Sequence, residues 1–263
     1  MTSTPEILEQ HRRARPYPRR FLPAGARLET WEAIAPFLDE LEQRSIDTLE
    51  QLERWLEDLS ELQAAISEEF NARYIAMTCR TDDPALEQAY LDYLTHVIPR
   101  TEPRWFALNR KFLASPARPV LPRPRYFVYD RARQKDVELF HEENVPLQTE
   151  DETLAQRYQK ALGEQSVEFR GERRTIPQLA RLYEETDREL RRGAWCAATG
   201  RQLADREAME SLFDRMVELR DRMARNAGFA NYLEFQFQRL GRFDYGPAEC
   251  REFHEAVERH VMP

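Results

Sequence analysis

Little in this 263-residue sequence lends itself to ligand loops, cross-links or membrane spans. Eight glycines form no G-x-G-x-x-G or G-x-x-x-x-G-K-[ST] run, which excludes the two common phosphate-cradling loops. No G-x-S-x-G turn surrounds Ser60, Ser67, Ser166 or Ser211, so the strained elbow of a nucleophilic serine is absent. The three cysteines, Cys79, Cys196 and Cys250, are odd in number, far apart and in no C-x-x-C spacing. They supply neither a disulfide framework nor a cysteine zinc site and are expected as buried thiols. Cys196, beside Trp195 on a predicted helix, is expected in core packing rather than as a nucleophile. No apolar run reaches the roughly 18 residues that span a bilayer, and the N-terminus has no signal-peptide core. A membrane is therefore not an expected partner, and a cytoplasmic location is the default expectation. A net charge of −8 argues against nucleic acid as the main partner, since phosphate binding needs a concentrated basic face. The one basic cluster, His11 to Arg20, is short and interrupted by proline, and is expected as a surface arm wrapping the fold, or else as a docking segment for an acidic surface.

What is present is helix after helix. Hydrophobic residues make up 41% and charged residues 33% of the chain, which suits a globular protein of one large or two small domains. Leu49, Leu52, Leu56, Leu59, Ile66 and Phe70 recur at helical spacing, with Asp47 and Glu50 as a capping-box-like start. Asp83 and Pro84 then read as an N-cap and first helical residue. They open a helix whose buried side carries Leu86, Tyr90, Tyr93, Leu94 and Val97, kinked or interrupted near Pro99 and Pro103. The two helices are expected to pair antiparallel. Four prolines between Ser115 and Arg125 exclude regular helix or central strand there and mark a subdomain connection. Helix resumes before His141 and again over about 149–162. Val167 and Phe169, a turn containing Gly171, and Thr175 with Ile176 predict a short β-hairpin. Capping boxes at Thr175/Gln178 and Thr186/Glu189 open two further helices. A long helix over about 205–227 ends at Gly228, and a last one begins near Pro247. The expected fold is mostly α: long antiparallel helices in an array, with one short hairpin.

Chemistry is harder to find. His254 and His260 in "HEAVERH" look like a stretched H-E-x-x-H helix, but a spacing of six turns the second imidazole about 240° from the first. A zinc-binding pair needs two residues on one face, four apart. His141 in "HEENV" has no second histidine, and its helix is expected to end at Pro146. The expected role of the C-terminal pair is an amphipathic helix with one histidine near Phe253 and Val257 and the other in solvent. Adjacent carboxylates such as Glu142/Glu143 and Glu184/Glu185 point apart on a helix and are expected on solvated faces. The aromatics Tyr232, Phe235, Phe237, Phe243 and Tyr245 are expected to form a core layer, with a groove lining as the alternative. No residue is expected to be catalytic, cofactor-binding or a metal ligand.

Several segments carry a more specific message. "LRDRMARNAGFANYLEFQF" (219–237) and "LGRFDYGPAECREFHEAVERHVMP" (240–263), with "RYIAMTCRTDDPALEQAYLDYL" and the stretch from Glu138 to Trp195 upstream, resemble the M3 family of zinc oligopeptidases, specifically its oligoendopeptidase F-like branch. The resemblance runs from about Arg20 to the last residue. It implies half of a channel-forming, mostly helical peptidase fold. In the complete enzymes a zinc ion held by an H-E-x-x-H helix and a further glutamate activates water, the motif glutamate acts as general base, and the channel admits short unfolded peptides. None of those ligands has a counterpart in these 263 residues, and "HEAVERH" matches a segment ahead of the catalytic one. The implied organisation is an N-terminal helical layer (1–115), a middle segment with the hairpin (116–185), and the start of the catalytic region (186–263) stopping before the zinc motif. The expected function is the N-terminal, channel-forming part of a metallo-oligoendopeptidase, inactive alone, with a C-terminal catalytic half and oligopeptides as partners. A free-standing helical peptide-binding or interaction protein derived from a peptidase is the rival expectation.

Overall fold

The computed structural model describes residues 19–262; all but the last two residues of the basic arm lie outside them. The described chain is helical with one hairpin, as the periodicity predicts. Helix α1 (Trp31–Gln43) is capped by Thr30. Helix α2 (Leu49–Cys79) starts one residue later than Asp47/Glu50 suggests: Thr48 and Gln51 form the reciprocal box, and Asp47 stands outside it. The hydroxyl of Thr48 accepts from the Gln51 N–H at 3.3 Å while the Gln51 side chain takes the Thr48 N–H at 3.1 Å, so both orphan donors are satisfied.

Asp83 caps α3 (Pro84–His96) as predicted. The chain then breaks at Val97 and re-enters α4 (Ile98–Ala114), where Pro99 occupies the first turn and its missing N–H costs nothing. A 3₁₀ turn at Arg118–Val120 precedes α5 (Arg123–Leu139). In this proline-rich stretch Ser115 and Ala117 are buried, while its four prolines and Val120 are exposed. Helix α6 (Asn144–Gly163) begins before Pro146 rather than after it. Pro146 therefore sits in a first turn, where a helix tolerates it, and His141 lies in the loop between α5 and α6.

Strands β1 (Ser166–Phe169) and β2 (Glu172–Thr175) pair antiparallel with Ser166 opposite Thr175. Arg170 and Gly171 carry φ of 54° and 79°, the double positive φ of a two-residue hairpin turn. Thr175 and Gln178 form the expected box on α7 (Ile176–Ala180). Helix α8 (Arg188–Ala204) is capped by Asp187 rather than Thr186: its carboxylate accepts from the N–H of Glu189 at 2.9 Å, the stronger acceptor one residue on. Helix α9 (Arg206–Asn226) ends where predicted, with Gly228 at φ 82° and Phe229 N–H returning to the Ala224 carbonyl at 2.9 Å. Helices α10 (Tyr232–Arg239) and α11 (Pro247–His260) complete the chain. No described helix is long and apolar enough to cross a membrane.

The largest core joins α1, α2, α4 and the start of α5. Trp55, Leu38, Leu41, Leu52, Leu62, Leu108 and Phe112 are fully enclosed there. Its polar seams are satisfied. The Trp55 indole donates to the Leu41 carbonyl at 2.9 Å and the Tyr93 hydroxyl to the Leu28 carbonyl at 3.0 Å. Lys111 places its ammonium on the carbonyls of Leu41, Glu42 and Arg44, closing the C-terminal end of α1. A second core sits between α2 and α3 around Met77, Leu86 and Tyr90. After α6 the cores are thinner: Leu147, Leu154, Leu219, Met223 and Phe235 unite α6, α9 and α10, and Leu179, Ala194 and Ala198 support the hairpin against α8.

Candidate functional site

The histidine pair is placed by α11, and α11 buries none of its residues. Both His254 and His260 are exposed; His254 touches only the neighbouring Phe253 ring, at 6.1 Å. The histidine expected beside Phe253 and Val257 does adjoin Phe253, but it stands in solvent like the other because α11 buries no residue. Among the described residues no three His, Cys, Asp or Glu side chains converge as a metal would require, so the donors present do not fit a catalytic zinc, which needs three protein ligands and an open position. Glu142, Glu143, Glu184 and Glu185 are on exposed faces.

Two of the three thiols overturn the expectation of burial. Cys79 and Cys196 are exposed and Cys250 is half-buried. Cys79 is the last residue of α2, where the chain leaves the core, and Cys196 shares the outer side of α8 with Trp195, itself 57% exposed. Alternation around α8 puts Ala194 and Ala198 inward instead. Trp195 belongs to a larger set: Leu203, Phe213, Val217, Leu233, Leu240, Tyr245, Phe253, Val261 and Met262 also stand in solvent. These ten lie from α8 onward; seven more, among them Ile75, Val120 and Val128, are exposed on earlier elements. Exposed apolar residues grouped on one part of a fold mark a surface made for contact.

A second feature was invisible in the sequence. An open groove of about 360 Å³ is walled by α2 (Gln63), α4 (Glu102, Trp105, Phe106, Asn109), α5 and its C-cap (Arg133, Asp136, Phe140), α6 (Gln148) and α10 (Phe235, Arg239). Its aromatic side is a stacked pair, Phe106 on Phe140, with centroids 4.2 Å apart. Burial pushes the Glu102 carboxyl up from its ordinary range, the charge of Arg239 opposing and that of Asp136 adding to the shift. No hydrogen bond stabilises its anion. Asp136 is raised for the same reason, its withdrawal from bulk water, against the pull of Arg133 at 3.0 Å. Of the aromatics expected in a core layer, Phe235 and Phe237 are buried, while Tyr245 is exposed; Phe235 also serves as groove wall. The other groove residues come from five helices with no shared spacing, so no motif could have announced them.

Comparison with known proteins places this architecture. Residues 26–140 match the model of the peptidase M3 N-terminal domain. The chain superposes on PZ peptidase A, solved with an inhibitor, with a TM-score of 0.82 and 22% identity, covering 94% of this chain and 43% of that one. For a protein described as an oligoendopeptidase F of Bacillus anthracis the TM-score is 0.81 at 20% identity, with 93% and 44% covered. A further protein described as an oligoendopeptidase F gives 0.81 at 22% identity, with 96% and 43% covered. At these identities the likeness establishes the fold. The chain spans well under half the length of each of these proteins. No curated protein matches the sequence.

Proposed function

We propose that this chain, whose residues 26–140 match the peptidase M3 N-terminal domain and whose fold is shared with longer peptidases, forms the channel-building part of a zinc metallo-oligoendopeptidase that hydrolyses short peptides in the cytoplasm. The zinc, its ligands and the general base are supplied by a C-terminal catalytic half, since the donors of the described residues do not converge. Its own task is structural and selective: it walls the channel, and its exposed apolar residues seat the catalytic half. The observation that carries the reading is the set from Trp195 to Met262 left in solvent on helices whose fold is shared with much longer peptidases. Covering each such large side chain is worth roughly 1.5–3 kcal/mol, so leaving them all in water is costly for a free-standing protein.

The test is direct. The purified 263-residue chain is expected not to cleave a quenched fluorescent oligopeptide, with or without added zinc, and to bind an apolar-surface dye strongly. Chelator-sensitive hydrolysis by this chain alone would overturn the proposal. A monodisperse monomer with no dye binding would favour instead the free-standing peptide-binding protein.

A further inference from the structure

The groove between α4, α5, α6 and α10 is lined by charges of both signs and holds one unmet donor. The Arg133 Nε is buried with no hydrogen-bond partner among the described residues, and Asn109, 5% exposed, lines the same space. A buried donor without a partner costs about 1–3 kcal/mol unless something outside the chain supplies one. Glu102 faces the same space with no hydrogen bond to its carboxyl among the described residues; burial pushes its pKa up, with Arg239 opposing and Asp136 adding. Arg239 is exposed and forms no ion pair within 4 Å among the described residues; its guanidinium lies 5.7 Å over the Phe235 ring. Glu102 and Arg239 therefore look into one cavity without meeting. A cavity of about 360 Å³ lies within the roughly 300–1,000 Å³ of small-molecule sites.

We propose that this groove binds a short peptide with both termini free, of about two residues. The ammonium end satisfies Glu102, with Asp136 adding negative potential; the carboxylate end takes Arg239, whose planar fork suits it. Between the ends, the side-chain amides of Asn109, Gln63 and Gln148 complement a peptide bond, donor to carbonyl and acceptor to N–H. The Phe106/Phe140 stack and Trp105 provide the apolar wall for a side chain. A simple anion would face the two carboxylates and a simple cation the two arginines, so a ligand carrying both charges fits where either alone does not. The inference rests on the groove and not on the metallopeptidase reading, and each can fail without the other.

Calorimetric titration of the intact chain with alanylphenylalanine tests it. Saturable binding is expected, weakened about tenfold or more when the amine is acetylated or the carboxylate amidated. Glu102→Gln should weaken the free dipeptide yet leave the acetylated form unaffected, and Arg239→Gln should do the same for the amidated form, the pattern of a direct pair in each case. Should Arg239→Gln fail to fold by circular dichroism, Gln148→Ala, on a partly exposed helix position, replaces it and must weaken the free dipeptide measurably. Absence of saturable heat at millimolar dipeptide, equal binding of free and blocked forms, or variants that bind as the native chain does would each overturn the proposal.

Discussion

Trp55 in α2 and Trp195 in α8 occupy similar positions in sequence terms, each on an amphipathic helix beside small or apolar neighbours. One is wholly enclosed and hydrogen-bonded to the Leu41 carbonyl; the other is mostly in water. The same contrast holds for the regions around them. From Leu22 to Tyr126, helices cover one another on more than one side, so that α2 buries even Asp58, Glu61 and Glu69. From α8 onward fewer faces are covered: α9 still packs against α6 and α10, but α8, α9 and α10 leave large apolar side chains in water and α11 buries no residue. Amphipathic sequence thus does not guarantee burial; burial depends on how many elements arrive to cover the face.

The sharpest way to break this comparison is to hollow both regions. Trp55→Ala should cost about 3–5 kcal/mol in denaturant unfolding, since a large enclosed side chain and its hydrogen bond are lost together. Leu219→Ala, equally buried but in the thin core of α6, α9 and α10, should cost about 2–3 kcal/mol, because a thinly covered site collapses more easily. Equal losses would show that the two regions are closed alike.

Glu61 sharpens the comparison from the polar side. Its carboxylate accepts the backbone N–H groups of Arg20, Phe21 and Leu22, at 2.8–3.2 Å, pinning the entering chain to the core. Burial pushes its pKa up, but those bonds and the Arg19 charge outweigh it and hold the group below the ordinary glutamate range. A folded pKa below the unfolded one means that the stabilisation is full above the unfolded value, about 4.3, and is lost as pH falls through the folded value. Glu61→Gln should cost about 2 kcal/mol at neutral pH and flatten the acid limb of the stability profile; an unchanged limb would remove Glu61 from this role. The smallest effect is expected on the open face. Phe213→Ser should change stability by less than about 0.5 kcal/mol while lowering binding of an apolar-surface dye, and a large destabilisation would show that α9 is covered there after all.

Much of the fold was legible locally. Asp83 before Pro84, the Thr175/Gln178 box, the Gly171 turn and the Gly228 stop all act through neighbours a few residues away, so spacing alone reveals them. Where two candidate caps stood side by side, spacing was off by one: Thr48 and Asp187 won over Asp47 and Thr186 because the backbone geometry selects which oxygen reaches the free N–H. Pro146 shows the same ambiguity, since a proline marks a helix boundary without saying on which side the helix lies. The exposure of Cys79, Cys196 and Trp195 was misjudged because residue type predicts burial only when a covering element is present.

The sequence by itself determined the helices, their turns and the failure of His254 and His260 to share one side of a helix, because these follow from dihedral preference and a fixed 100° step. It also carried the wording of a peptidase's N-terminal half. Only the tertiary structure decided which apolar faces are covered and which polar side chains meet. Glu102, Asn109, Arg133 and Arg239 lie up to 137 residues apart and converge because α4, α5 and α10 pack together; such proximity arises from long-range packing, for which no local spacing rule exists.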